Sequence, residues 1–214
     1  MKRTIIRHTG IAAATLALSM SLVACGSDDS SSENTSGSDD SSQTTEGSDD
    51  SGATDAGAEA FGPGCASIPT SGAGSFNGMA TEPVATAASA NPLLKTLVAA
   101  VKQAGLVDTL NSAEALTVFA PTDDAFAKIP KKDLDAVLAD KATLTKILSH
   151  HVIEGKLGPD EIAGEHETLA GDTVTVKGSG DKFTSGAENA AVLCGNVPTA
   201  NATVYVIDTV MMPS

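Results

Sequence analysis

Tryptophan is absent from this 214-residue chain, tyrosine occurs once, and aromatic residues together make up 3%. Platforms on which bases or sugar rings could stack are therefore scarcely supplied. The balance of 13 basic against 27 acidic residues, a net of −14, removes the electrostatic basis for gripping nucleic acid or an anionic bilayer surface. Several catalytic patterns are missing too. No GxSxG elbow occurs, and the serines gather near the N-terminus, where no oxyanion hole can be assembled. No HExxH pair occurs, and Gly178-Ser179-Gly180 is not followed by a helix carrying lysine, so it reads as a hairpin turn and not a phosphate loop. None of these patterns supports an enzyme, and no cofactor is implied.

Charge is also missing from one early stretch. After Lys2, Arg3 and Arg7, no charged residue appears until Asp28, and the interval is an apolar run from Ile11 to Ala24. That run has the charge order and length of a secretory signal and is too short for an ordinary membrane span. Its end, Leu22-Val23-Ala24-Cys25, resembles a bacterial lipobox, in which small residues fit the signal peptidase and the Cys25 thiol carries diacylglycerol. Plain cleavage with an idle cysteine is the alternative. Two or three acyl chains hold a protein stably on a bilayer where one is marginal. The expected organisation is a signal at 1–24, a lipidated N-terminus and tether at 25–60, and a domain at 61–214. Loss of the signal leaves ten basic against 27 acidic residues, a net of −17.

Residues 26–60 contain ten Asp/Glu, no Lys or Arg, and four alanines as their apolar content. Such a segment buries nothing to offset its ordering entropy, and its charges repel, so it is expected to be disordered. As a flexible coil its ends average roughly 30–35 Å apart. The expected role is a spacer that lifts the domain off the membrane. A specific acidic binding tail is the rival, but alternating Ser and Asp define no geometry.

Three cysteines are present. With Cys25 assigned to lipid, Cys65 and Cys194 remain, and an even pair in an exported protein reads as a disulfide. Closing so long a loop is worth roughly 5 kcal/mol at most in the chain-entropy model. A catalytic thiol is the alternative, and no activating base is evident beside either residue.

The 61–90 stretch, rich in Gly and Pro, reads as an irregular lead-in. Asn91 can then cap a helix whose apolar face is Leu93, Leu94, Leu97, Val98 and Val101, ended by Gly105. Leu106–Leu110 suggests a further helical turn. Leu116–Ala120 reads as a strand, after which Thr122 can cap a helix with Asp123 and Asp124 in its first turn. Two more helical patches follow, around Leu134–Leu138 and Leu144–Leu148. His150–Glu154 reads as extended. Thr173–Lys177, Lys182–Thr184, Ala191–Cys194, Thr203–Ile207 and Val210–Met212 read as strands. Helices crowd the first half and strands the second. That order argues for an α+β domain with helices packed on a twisted, mostly antiparallel β core, a sandwich or wedge of two small sheets among the options.

Three stretches resemble the signatures of the fasciclin-domain family. Thr117-Val-Phe-Ala-Pro-Thr-Asp-Asp-Ala-Phe126 resembles the first signature. Leu148-Ser-His-His-Val-Ile153 resembles the tyrosine–histidine stretch, with His150 where tyrosine is usual. Val204-Tyr-Val-Ile-Asp-Thr-Val-Met-Met-Pro213 resembles the second signature. Gly62–Cys65, Leu106–Asn111 and Val192–Gly195 add a closer resemblance to the mycobacterial branch of that family, which holds a secreted antigen and a surface lipoprotein. The resemblance implies an actinobacterial source and the pairing of Cys65 with Cys194. It also implies an extracellular adhesion module whose partner is a host matrix protein, a receptor or a cell-wall component. The family's proposed adhesive residues fall here on His150, His151, Val152, Ile207 and Asp208. Each also has a bland reading: Asp208 as an acceptor of backbone hydrogen bonds at a strand end, His151 as a satisfied, half-buried histidine.

Two rivals remain. His150, His151, His166, Glu154, Glu165 and Glu167 suggest a metal, but adjacent histidines on a strand point to opposite faces and do not share an ion. A groove between helices and sheet could instead carry a lipid or small apolar ligand, with Met211 and Met212 among its adaptable walls.

Overall fold

The computed structural model describes residues 55–213. The expected signal, the lipidation of Cys25 and the tether up to residue 54 lie outside the described residues. The last part of the expected tether, 55–60, does not continue as a free coil. It forms a turn laid on the domain, with Ala56 N–H donating to Asn77 Oδ1 at 2.9 Å and Asn196 Nδ2 donating to the Glu59 carbonyl at 3.2 Å. Both partners are distant in sequence, so composition alone could not reveal them.

A 3-10 turn at Pro63–Ser67 follows, then helices α1 (Phe76–Ala80), α2 (Val84–Ala90), α3 (Lys95–Ala104) and α4 (Val107–Ser112). Strand β1 (Leu116–Pro121) leads to α5 (Asp123–Ala127), α6 (Lys131–Ala139) and α7 (Lys141–His150). The remaining strands are β2 (Val152–Glu154), β3 (Gly164–Glu167), β4 (Thr173–Ser179), β5 (Lys182–Ser185), β6 (Ala190–Pro198) and β7 (Ala202–Ile207). The 61–90 stretch, expected to be irregular, therefore holds two helices. β3 was not expected from its polar sequence, and Val210–Met212, expected as a strand, is not one.

All seven strands form one sheet in the order β2-β1-β7-β6-β5-β4-β3, in place of two small sheets. Each neighbouring pair is antiparallel except β1 and β7, which run parallel from Leu116↔Ala202 to Pro121↔Ile207. An isolated bridge between Ile153 and Thr168 links the two outer strands' ends, so the sheet curls almost into a barrel. Every residue of β1 and β7 is buried, as expected of central strands covered on both faces. Their alternation divides the core. Leu116, Val118, Ala120, Val204 and Val206 join the helices in one cluster. Phe119, Tyr205 and Ile207 point to the other face and pack with Val174, Val176 and Phe183 in a second.

Local chemistry sets the helix ends. Thr122 caps α5, its hydroxyl accepting from Ala125 N–H at 3.2 Å. Gly105 ends α3 in the left-handed region at φ 75°, a conformation that costs glycine little. Asn91 does act as a turn-former, accepting from Leu93 N–H at 3.0 Å, but the helix starts later, at Lys95. Its free Thr96 N–H is taken by Asp123 Oδ1 at 2.7 Å, a cap supplied by a different helix. Cys65 and Cys194 form a disulfide with an S–S distance of 1.97 Å across 129 positions of sequence.

Candidate functional site

The stretch 148–153 is not extended throughout. α7 runs to His150, His151 closes it with φ −88° and ψ 4°, and the strand starts at Val152. The two imidazoles thus sit on a helix C-terminus, with ring centroids 6.2 Å apart and planes at 90°. Both are buried, at 4% and 2% exposure. His150 donates Nδ1–H to Asp172 Oδ1 at 2.6 Å, and Thr168 donates its hydroxyl to the same oxygen. Partial burial alone would raise the Asp172 carboxyl. The Thr168 hydroxyl, His150 and the charge of Lys146 outweigh it and hold the carboxyl below its ordinary value. This cluster fastens the turn after β3 to the end of α7.

His151 has both ring nitrogens committed. Nε2 accepts from Met211 N–H at 3.0 Å, so Nδ1 carries the proton and donates to the Ile147 carbonyl at 2.8 Å. Its pKa is lowered to about 4: burial is the main cause, the Ile147 carbonyl opposes it, and the nearby His150 adds to the lowering. The ring is a neutral cross-link between α7 and the C-terminal segment. That bond explains why Val210–Met212 needs no ladder: its central N–H goes to a side chain.

Val152 and Ile207 are core residues, at 3% and 0% exposure. Asp208 alone among the five candidates has a side chain that reaches solvent, at 33%. Its Oδ1 accepts from Ala191 N–H at 2.8 Å and from the Thr209 hydroxyl at 3.0 Å, while Oδ2 meets Lys128 Nζ at 2.9 Å. Partial burial would raise this carboxyl, but Lys128, Ala191 N–H and Thr209 hold it below the ordinary value. The strand-end acceptor expected from sequence is therefore present, joined to a surface ion pair. His166 lies elsewhere, with Nε2 donating to the Ile162 carbonyl at 2.9 Å. Among the described residues no three His, Cys, Asp or Glu side chains gather for a metal ion.

The groove expected between helices and sheet has a counterpart, although the sequence did not show which residues line it. A pocket of about 190 Å³ opens between α2, α3 and α4 on one side and β1, β2 and the end of α7 on the other. Its walls include Ala85, Ala88, Val98, Val101, Val107 and Leu110, and its floor includes Val118, Phe119, Leu148 and Val152. His151 and Val152 thus line it, whereas Ile207 and Asp208 do not, so the five candidates divide between two places. Met211 and Met212 are not among its walls, contrary to the expectation for an apolar groove; Met211 lies in the second core cluster. The signal that could have found the pocket is the small-residue helix Val84–Ala90, whose alanines leave space that larger side chains would fill.

The family model described as "Fasciclin domain" matches residues 92–213. Over 161 residues the chain is 49% identical to the immunogenic protein MPB70 of Mycobacterium bovis, covering 71% of this chain and 81% of that one. It is 50% identical over 161 residues to the cell surface glycolipoprotein MPB83 of Mycobacterium bovis, covering 71% of each. A solved FAS1 domain pair from the insect cell adhesion molecule fasciclin I shares 24% identity with a TM-score of 0.47, over 56% of this chain and 45% of that one.

Proposed function

Since the chain belongs to the fasciclin-domain family, we propose that it is a surface-displayed interaction module, lipidated at Cys25, set off by an acidic spacer, and binding a protein or cell-wall partner without catalysis. The observation that carries this reading is the half-identity, over 161 residues, to a protein named as a cell surface glycolipoprotein. The lipobox-like Leu22–Cys25 supports the anchor independently. Intact mass of protein extracted from the envelope tests it: a diacylglyceryl or triacyl adduct on Cys25 is expected, and an unmodified residue would defeat the anchoring part.

Of the candidate binding residues, His150, His151, Val152 and Ile207 serve the core, so a partner touching this region meets Asp208, Lys128 and Thr209. Asp208→Asn keeps an oxygen for Ala191 N–H while removing the charge facing Lys128. Capture of host matrix or cell-wall fractions by wild type and this variant, with melting curves run in parallel, tests the assignment. Weaker capture at an almost unchanged melting temperature is expected; equal capture would place the contact elsewhere.

The pocket beside α2 favours a second reading, an extracellular carrier of a small apolar ligand. Apolar concavities with few polar groups are the usual form of such sites.

A further inference from the structure

The pocket's lining holds one formally charged side chain, Lys102, in the last turn of α3. The other polar liners are Thr86, Ser89, Thr109, Ser149 and His151, and His151 is neutral because its Nε2 accepts the Met211 N–H and so carries no proton. Lys102 is exposed and forms no ion pair with any described residue. Leu169, one of two large apolar side chains left exposed in the described domain, stands at the same mouth with 40% of its surface in solvent. Its backbone is fixed, since Leu169 N–H donates to the Val152 carbonyl at 2.8 Å and the neighbouring Thr168 is held by Asp172. The mouth is therefore built on anchored backbone.

Size narrows the occupant. An apolar cavity of roughly 150 Å³ stays dry and takes a benzene-sized guest. The pocket here, at about 190 Å³, is larger, yet below the roughly 300 Å³ of a typical drug-sized site. A hydrocarbon chain of moderate length fits that range, with its polar end left at the mouth. We propose that the pocket binds a monocarboxylate with a linear apolar tail, the tail seated between α2, α3 and the β1 floor and the carboxylate paired with Lys102. This rests on the carrier reading and adds the sign of the ligand's head group. A chain with 27 acidic and 13 basic residues repels anions in general, so a lone cation at an apolar mouth is a local exception that gives the site its selectivity.

The test uses the full-length chain, freed of co-purifying lipid, titrated by calorimetry with dodecanoate and with dodecanol. Saturable binding of one dodecanoate is expected, weaker by about fivefold for dodecanol, consistent with a partly exposed ion pair. Lys102→Met keeps the apolar stem and should erase that difference. Val98→Phe should fill the pocket and abolish binding of both ligands, with the melting temperature maintained. If both ligands bind equally and Lys102→Met changes nothing, the carboxylate assignment fails while the carrier reading stands. If neither ligand binds saturably, or if Val98→Phe still binds both, the pocket is not the site and both fall.

Discussion

His151 shows how a buried titratable group ties this fold to pH. Its unfolded pKa is near 6.5 and its folded pKa near 4, lowered first by burial. Above about pH 6.5 neither state holds the proton. Between 6.5 and 4 the unfolded chain takes up a proton that the folded imidazole refuses, so stability falls as pH drops through that window. The loss totals about 3 kcal/mol. Below it, Asp172 and Asp208 act in the same sense, because carboxyls held below their ordinary value lose their contribution as pH falls through the folded pKa. His151→Gln offers a donor and an acceptor without titrating. Denaturant midpoints of this variant should be nearly flat between pH 6.5 and 4.5, where those of the wild type decline; parallel curves would show that His151 does not set the slope. The sequence offered the strand-end acceptor role of Asp208 and a hydrogen-bonded His151, although that ring is fully buried and not half-buried. The partners were not visible: Met211 is 60 positions from His151, and Ala191 is 17 from Asp208.

At the scale of elements, what could be read depended on where each helix or strand obtains its hydrogen bonds. β4 was legible because Val174 and Val176 alternate with polar residues, and α5 because its cap, Thr122, is adjacent. β3 was not, since Gly164-Glu-His-Glu167 carries no apolar alternation and is defined by its pairing with β4. α2 is the informative failure. Its start lies beside Pro83, with no side-chain cap of its own, and its N-terminal donors are taken by Asn201 Oδ1 at Val84 (2.8 Å) and Asn111 Oδ1 at Ala85 (2.9 Å). Asn201 also donates Nδ2–H to the carbonyls of Leu110 and Ala113, both at 2.8 Å, so one amide joins α2, the end of α4 and the β6–β7 turn. Asn201 opens a glycosylation-like triplet, but its amide is fully employed in this junction. Asn201→Ala removes the cap and strands two or more backbone groups; each such loss costs about 1–3 kcal/mol. A destabilisation of about 2–4 kcal/mol, with amide exchange rising first in α2, is expected. Uniform exchange across all elements would show that α2 has no separate dependence on this residue.

At the scale of the molecule, two structural features occupy different regions. The helices cover β1 and β7 and leave the pocket; a strap, residues 55–67, runs along β6. Phe61 exchanges backbone bonds with Gly195 at 2.8 and 3.2 Å, and its ring reaches the second core cluster, 5.5 Å from Phe183 and 6.2 Å from Tyr205. The disulfide fastens the strap to β6 at Cys194. Glycine is required where strap and strand meet: a Cβ on Gly62 would lie 2.4 Å from the Leu193 carbonyl oxygen, and φ there is 104°. Neither cysteine lines the pocket, and no strap residue does. Removing the covalent tie with Cys65→Ser/Cys194→Ser should therefore act on one feature alone. Losing a native disulfide of this loop length costs about 2–5 kcal/mol, which a domain of ordinary stability can survive at 25 °C. Exchange at the Phe61 and Gly195 amides should rise while the β1–β7 pairs stay protected. Dodecanoate affinity, measured well below the melting temperature, should stay within about twofold. Collapse of ligand binding with the central strands still protected would mean that strap and pocket are coupled through the core, and the division proposed between them would be wrong.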